Sequence, residues 1–144
     1  MFSKACEYGI RAAVHLARLS EKGERGSLKQ IARAIDSPVA FTAKVLQLLA
    51  RDGLIQSVQG PTGGYELPHD RLSEIYLIDI VKAIDGDHVF NGCGLGLKDC
   101  NEHEPCPLHF QFTAIRDDLK EMLQSTSVQD LAMQLHQGMA FLRR

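Results

Sequence analysis

Seventeen consecutive residues, Cys93 to His109, carry neither a helical nor a strand period. They read Cys-Gly-Leu-Gly-Leu-Lys-Asp-Cys-Asn-Glu-His-Glu-Pro-Cys-Pro-Leu-His. Gly, Pro and polar residues at this density make a loop, and it divides the periodic parts of the chain into two. The loop holds Cys93, Cys100 and Cys106, three of the four cysteines, and ends on His109. Thiolates are ligands for soft metals. A disulfide with a spare thiol is the plainest alternative, but disulfides belong to oxidising compartments. A structural zinc site accepts Cys3His, although it usually closes on tighter pairs. Six residues separate Cys93 from Cys100 and five separate Cys100 from Cys106. Spacing this wide suits a loop draped around something larger than one ion, and an iron–sulfur cluster is such an object.

The rest of the chain bounds the setting of that loop. At 144 residues it can bury a real core as one domain. No apolar run reaches membrane-spanning length, and Met1 to Cys6 lacks the apolar block of a signal peptide. A cytoplasmic, reducing location is the expectation, and it keeps the cysteines as thiols. The net charge of −2 does not announce nucleic-acid binding. Its distribution is more telling: residues 1–71 hold ten Lys/Arg against seven Asp/Glu, and residues 72–144 hold six against eleven. That asymmetry is compatible with a nucleic-acid-facing N-terminal half.

Residues 3–20 read as a first helix, with Ser3 as cap and Ile10, Ala13, Val14 and Ala17 at helical spacing. Ser27 followed by Gln30 is a capping box opening a second helix. That helix stops at Asp36-Ser37-Pro38, where Ser37 is expected to cap a third helix with Pro38 at its first position. The third helix ends at Gly53. It buries Val45, Leu46 and Leu49 and presents Ala40, Lys44, Gln47 and Arg51 on the opposite face. Two short helices joined by a tight turn are a helix-turn-helix, although an ordinary helical hairpin looks the same. Leu54 to Gln59, the turn Gly60-Pro61-Thr62-Gly63-Gly64, and Tyr65 onward form a hairpin in the place of a wing. Its glycines serve turn geometry, or let backbone N–H groups approach phosphate.

Leu72 to Gly86 is a further amphipathic segment, and the Cys loop follows it. In the next helix Leu108, Phe112, Ile115, Leu119 and Met122 recur at intervals of 4, 3, 4 and 3. That is a coiled-coil seam, expected to pair two copies of the chain. Ser127 and Asp130 open a last helix with Leu131, Leu135, Met139 and Leu142 in register. The expected fold is mainly α with a small β-hairpin wing, a winged helix-turn-helix plus a long dimerisation helix. Three regions follow: 1–71 for DNA binding, 72–107 for a connecting helix and the Cys loop, and 108–144 for dimerisation and C-terminal helices.

Taken together, these parts resemble the iron–sulfur-binding winged-helix transcriptional regulators of bacteria, the family of the iron–sulfur assembly regulator and the nitric-oxide-sensing repressor. The resemblance covers nearly the whole chain. It rests on the Tyr8-Gly9 opening, the helix-turn-helix, the wing Gln59-Gly60-Pro61-Thr62-Gly63-Gly64-Tyr65, and three Cys before a dimerisation helix. It implies that Cys93, Cys100 and Cys106 ligate a cluster of the 2Fe-2S or 4Fe-4S type. It implies a fourth ligand at His109 or at Glu7 of the partner subunit, with Cys6 a third candidate. Adjacent helix positions point about 100° apart, so Cys6 and Glu7 should not both reach one cluster. The chain departs from the family pattern in a Cys93–Cys100 gap one residue longer than the commonest. It also carries Gln59 where relatives often have Arg, which sits well in a narrow, negative minor groove.

The expected function is a homodimeric regulator reading a pseudo-palindromic operator in double-stranded DNA, one half-site per subunit. Ser37, Phe41, Thr42 and Lys44 are the candidate major-groove residues. Gln59, Gly60, Pro61, Gly63 and Gly64 are the candidate wing contacts. No membrane partner, small-molecule substrate or catalysis is expected. Gly60 to Gly64 lacks the following Lys-Ser/Thr of a phosphate loop. The alternative is a Cys3His zinc site in a winged-helix regulator or interaction domain.

Overall fold

Ser3 starts the first helix as expected, its hydroxyl accepting the Cys6 N–H at 3.0 Å. In this computed structural model, which describes residues 1–142, helix α1 spans Lys4–Glu21. Helix α2 spans Leu28–Ala34 and opens on a complete capping box: Ser27 and Gln30 each accept the other's N–H. Helix α3 spans Val39–Arg51. Its start departs from expectation. Pro38 is the cap, and no side chain accepts a helical N–H there. The Ser37 hydroxyl pairs instead with the hydroxyl of Thr42, which itself donates to the Pro38 carbonyl at 2.8 Å. Asp36, at φ 53°, makes the sharp turn between the two helices.

The wing is a short antiparallel hairpin of β1 (Gln56–Val58) and β2 (Gly64–Glu66), with Ser57 opposite Tyr65. Its first strand is shorter than the sequence suggests, because Leu54 and Ile55 are buried in the core instead. Tyr65 also pairs with Gly26, through N–H···O bonds of 2.8 and 3.0 Å, which anchors the wing to the turn before α2.

A 3-10 turn at His69–Arg71 leads to α4 (Leu77–Asp85) and the short α5 (His88–Asn91), which the sequence did not signal. After the Cys loop come α6 (His109–Ser125) and α7 (Val128–His136). Leu108 lies just outside α6, as its cap. Helix α7 ends two residues before Gly138, which sits at φ +71°, so Met139 and Leu142 leave the helical register. The N-terminus of α7 is tied back before α4: Leu77 N–H donates to Thr126 and Val128 N–H to Ile75, both at 2.9 Å.

One apolar core threads these helices, from Leu16 in α1 through Ile31, Leu46, Ile80 and Leu123 to Ala132 in α7. Gly9 is buried where α1 crosses α4, and a methyl there would run into Ile84 Cδ1. The crossing is fitted to glycine, and an added methyl would force the end of the Ile84 side chain to shift. Among the described residues no helix is long and apolar enough to cross a membrane.

Candidate functional site

The candidate reading head is the exposed side of α3. Val45, Leu46 and Leu49 anchor the helix inward, which leaves Ala40, Lys44, Gln47 and Arg51 exposed. Phe41 is half-buried, its ring edge-on to Tyr8 at 5.5 Å. Tyr8 in turn lies beneath the cations Arg11 (4.7 Å) and Lys4 (5.5 Å). Of the four candidate groove residues, Lys44 is exposed and Phe41 partly so. Thr42 is fully buried and Ser37 is committed to it, so this pair shapes the turn instead of meeting a ligand.

At the wing tip Gln59, Gly60 and Pro61 are exposed. Gly63 and Gly64 answer to geometry. A Cβ on Gly63 would strike the Val58 carbonyl, and Gly64, at φ +148°, lies against the Gly26 backbone. Sequence reasoning missed Arg25. Its Nε pairs with Glu66 at 2.9 Å and its Nη1 donates to the Thr62 carbonyl at 3.2 Å, bracing the wing from the α2 side. A lone Arg in a polar turn carries no local signal of such a long-range role.

The four cysteines are free, and the three in the loop are half-buried. Two pairings are present. The Cys93 thiol neighbours that of Cys106. Cys100 Sγ lies 3.3 Å from His109 Nδ1. No three of the described His, Cys, Asp and Glu residues form a group that could hold a metal ion. Cys93 already sits in an anion-favouring cradle. The backbone N–H groups of Leu95 and Leu97 turn toward its sulfur and hold its thiol below the usual range, outweighing slight desolvation. Gly94 passes directly over the Phe112 ring, which leaves no room for a side chain at that point of the loop. His103 is exposed. The loop is held from below by Arg116 of α6, which sequence reasoning also missed: its guanidinium reaches the Gly92 carbonyl and Cys100 Sγ.

The candidate residues on α1 differ sharply. Glu7 is exposed and pairs with Lys4 at 3.1 Å on the same helix. Cys6 is fully buried in the core. Burial, and after it the nearby Asp85 carboxylate, pushes its thiol up to about 12. Buried in the core, Cys6 offers no accessible thiol to a loop of either subunit as the chain stands. Asp85 also receives both the N–H and the hydroxyl of Ser3, which fastens the start of α1 to the end of α4.

These environments set an order of reactivity. In metal-free protein at neutral pH, iodoacetamide is expected to modify Cys93 first and to leave Cys6 untouched while the fold holds. Peptide mass mapping over time checks this. Early labelling of Cys6 would contradict its place in the core.

The expected pairing seam divides between two directions. Leu108, Ile115 and Met122, seven residues apart, are exposed by 40%, 59% and 48%. Phe112 and Leu119 turn back, Phe112 toward the loop and Leu119 onto the core.

Comparison with known proteins agrees with the architecture. Protein aau3 of Rhizobium meliloti is 33% identical over 130 residues, covering 90% of this chain and 82% of that protein. The regulator CymR of Bacillus subtilis is 30% identical over 125 residues, covering 87% and 84%. Its structure, that of the global cysteine regulator of B. subtilis, superposes with a TM-score of 0.75 over 92% of this chain and 96% of that one, at 27% identity. The structure of T. potens IscR superposes with a TM-score of 0.77 over 98% and 92%, at 22% identity, and confirms the winged-helix fold. The sequence model of the Rrf2 family, an iron-dependent transcriptional regulator, matches residues 2–134. With a match of that extent, the chain belongs to the Rrf2 family of transcriptional regulators.

Proposed function

We propose that the chain acts as a homodimer whose affinity for an operator is set by an iron–sulfur cluster held on the loop from Cys93 to His109. The observation that carries this is the donor set. Three half-buried free thiols occupy one loop, and His109 Nδ1 lies 3.3 Å from Cys100 Sγ. The residues fit such a group in chemistry: soft thiols, one of them held below the usual thiol range by backbone N–H groups, with a cation at Cys100. The donors stand as two pairs, so binding requires the loop to draw them together. Cys93, Cys100 and Cys106 would hold the cluster. His109 is the preferred fourth ligand on its distance to Cys100, and the partner subunit's Glu7 is the alternative. A bound cluster supplies a centre reactive toward electrons, oxygen and nitric oxide.

The α3 face bearing Phe41, Lys44 and Gln47 enters the major groove, and the tip Gln59-Gly60-Pro61 meets the minor groove or backbone. Ser37 and Thr42 act through the turn they hold. Dimerisation through Leu108, Ile115 and Met122 places two such heads on successive half-sites, about one helical turn apart. The family description is iron-dependent, whereas the B. subtilis neighbour is a cysteine regulator. The triple-thiol loop is what favours the iron reading here.

The test is an ultraviolet–visible spectrum of anaerobically purified protein, with iron, zinc and sulfide assayed on the same sample. The expected sample is brown, carries matched iron and sulfide, and bleaches with nitric oxide or air. A colourless protein with one zinc per chain would replace this reading with a structural Cys3His site.

A further inference from the structure

Arg116 lies seven residues past His109 on α6 and turns its guanidinium under the thiol loop. Its Nη1 donates to the carbonyl of Gly92, the residue just before the first thiol. Its Nη2 donates to Cys100 Sγ at 3.3 Å and to Thr113 Oγ1 at 3.2 Å. Its Nε is buried and has no hydrogen-bond partner. Among the described residues Arg116 joins no ion pair. The guanidinium as a whole is only partly buried, but its Nε is cut off from water without an acceptor, so the charge is left incompletely satisfied. Here a carbonyl, a thiol and a hydroxyl supply acceptors but no charge. The anion that would complete the site is the one the loop acquires when its thiols become thiolates around a metal centre.

We infer that Arg116 is the positioning residue of the loop: it closes residues 92–100 onto α6 and compensates the negative charge of the metal-bound thiolates. The charge compensation rests on the cluster reading above; the closure of the loop does not. A single planar guanidinium spans three acceptors at once, which the ammonium of Lys cannot do in the same geometry. Its neighbour Ile115 is 59% exposed on the outward stripe of α6. Arg116 thus ties Cys100 to the same helix that carries the outward stripe. An N–H···S bond and a nearby cation both favour the more negative, reduced state of a thiolate-bound centre, so they raise its reduction potential.

The experiment compares wild type with Arg116→Gln and Arg116→Lys, each full-length. In metal-free protein, trypsin cleavage after Lys98, the only Lys or Arg between Gly92 and Cys100, reports loop closure. Arg116→Gln is expected to be cut there several-fold faster, with an unchanged melting temperature, and Arg116→Lys to fall between. After anaerobic reconstitution, Arg116→Gln is expected to take up the same iron and sulfide. It should release iron to a chelator on the order of tenfold faster and show a lower reduction potential. Unchanged cleavage at Lys98 overturns the closure whatever the loop binds. Faster cleavage with unaltered iron release and potential overturns the charge compensation alone. A wild type that takes up no iron overturns the cluster reading and the compensation with it, and the cleavage result still decides the closure. If Arg116→Gln does not fold, Arg116→Lys carries the closure comparison, since it keeps the charge and loses the three-way geometry, and Arg116→Met carries the charge comparison.

Discussion

Cys100→Ala is expected to give a folded protein that no longer holds iron and sulfide. The fold survives because Cys100 is outside the apolar core, on a loop held by Arg116 and by α6. Site occupancy does not, because two thiols remain where three are needed, and His109 loses the thiol 3.3 Å from its Nδ1. Iron and sulfide after anaerobic reconstitution should drop to below about a tenth of the wild-type content. Circular dichroism and the melting temperature should stay close to wild type. The control is Cys6→Ala. That thiol is buried and raised to about 12, so removing it should leave iron content and spectrum unchanged and cost only stability. Wild-type iron content in Cys100→Ala, or lost iron in Cys6→Ala, would sink the ligand assignment in opposite ways. The first would take Cys100 out of the set. The second would require α1 to open its core face to the loop.

Much of this arrangement is legible in the sequence, and what is not has a common cause. Ser27 with Gln30 and Ser127 with Asp130 announce their helices because a capping box is complete within four residues. The inward set Val45, Leu46 and Leu49 is equally local, fixed by helical period. Ser37 misleads because a residue five places on competes for its hydroxyl: Thr42 is buried and needs it. The seam is read correctly as a period but not as one face. Period alone cannot reveal that Phe112 supports Gly94, or that Leu119 packs on the core. The residues missed outright act across the fold. Arg25 reaches Glu66 over 41 residues, Ser3 reaches Asp85 over 82, and Arg116 reaches Gly92 over 24. None of these contacts leaves a mark within one helical turn of sequence. The thiol loop is legible for the opposite reason: its chemistry lies in residue type, although the pairing of Cys93 with Cys106 and of Cys100 with His109 does not.

Ile115→Glu is expected to give a folded monomer that has lost operator binding. Within the single chain the Ile115 side chain is 59% exposed, so a glutamate there stays in water and leaves the core intact. Leu119→Glu would be a poorer choice, because Leu119 packs on the core and its loss would confound folding with pairing. In a two-fold pair through the stripe Leu108, Ile115 and Met122, the same position meets its copy or a close neighbour. Each glutamate must then shed water opposite apolar side chains and like charge. An uncompensated buried charge costs about 3–5 kcal/mol, which weakens pairing by roughly two to three and a half decades. Sedimentation equilibrium at micromolar concentration reads the change directly. Operator affinity should fall with it, since two linked heads bind as one ligand and a single head loses that gain of about 10²–10⁴. A variant that stays dimeric would move the interface off this stripe. A monomer that keeps full operator affinity would preserve the stripe and remove the need for two half-sites. Ile115→Leu should change neither quantity, because it keeps an apolar knob of similar volume on the outward face.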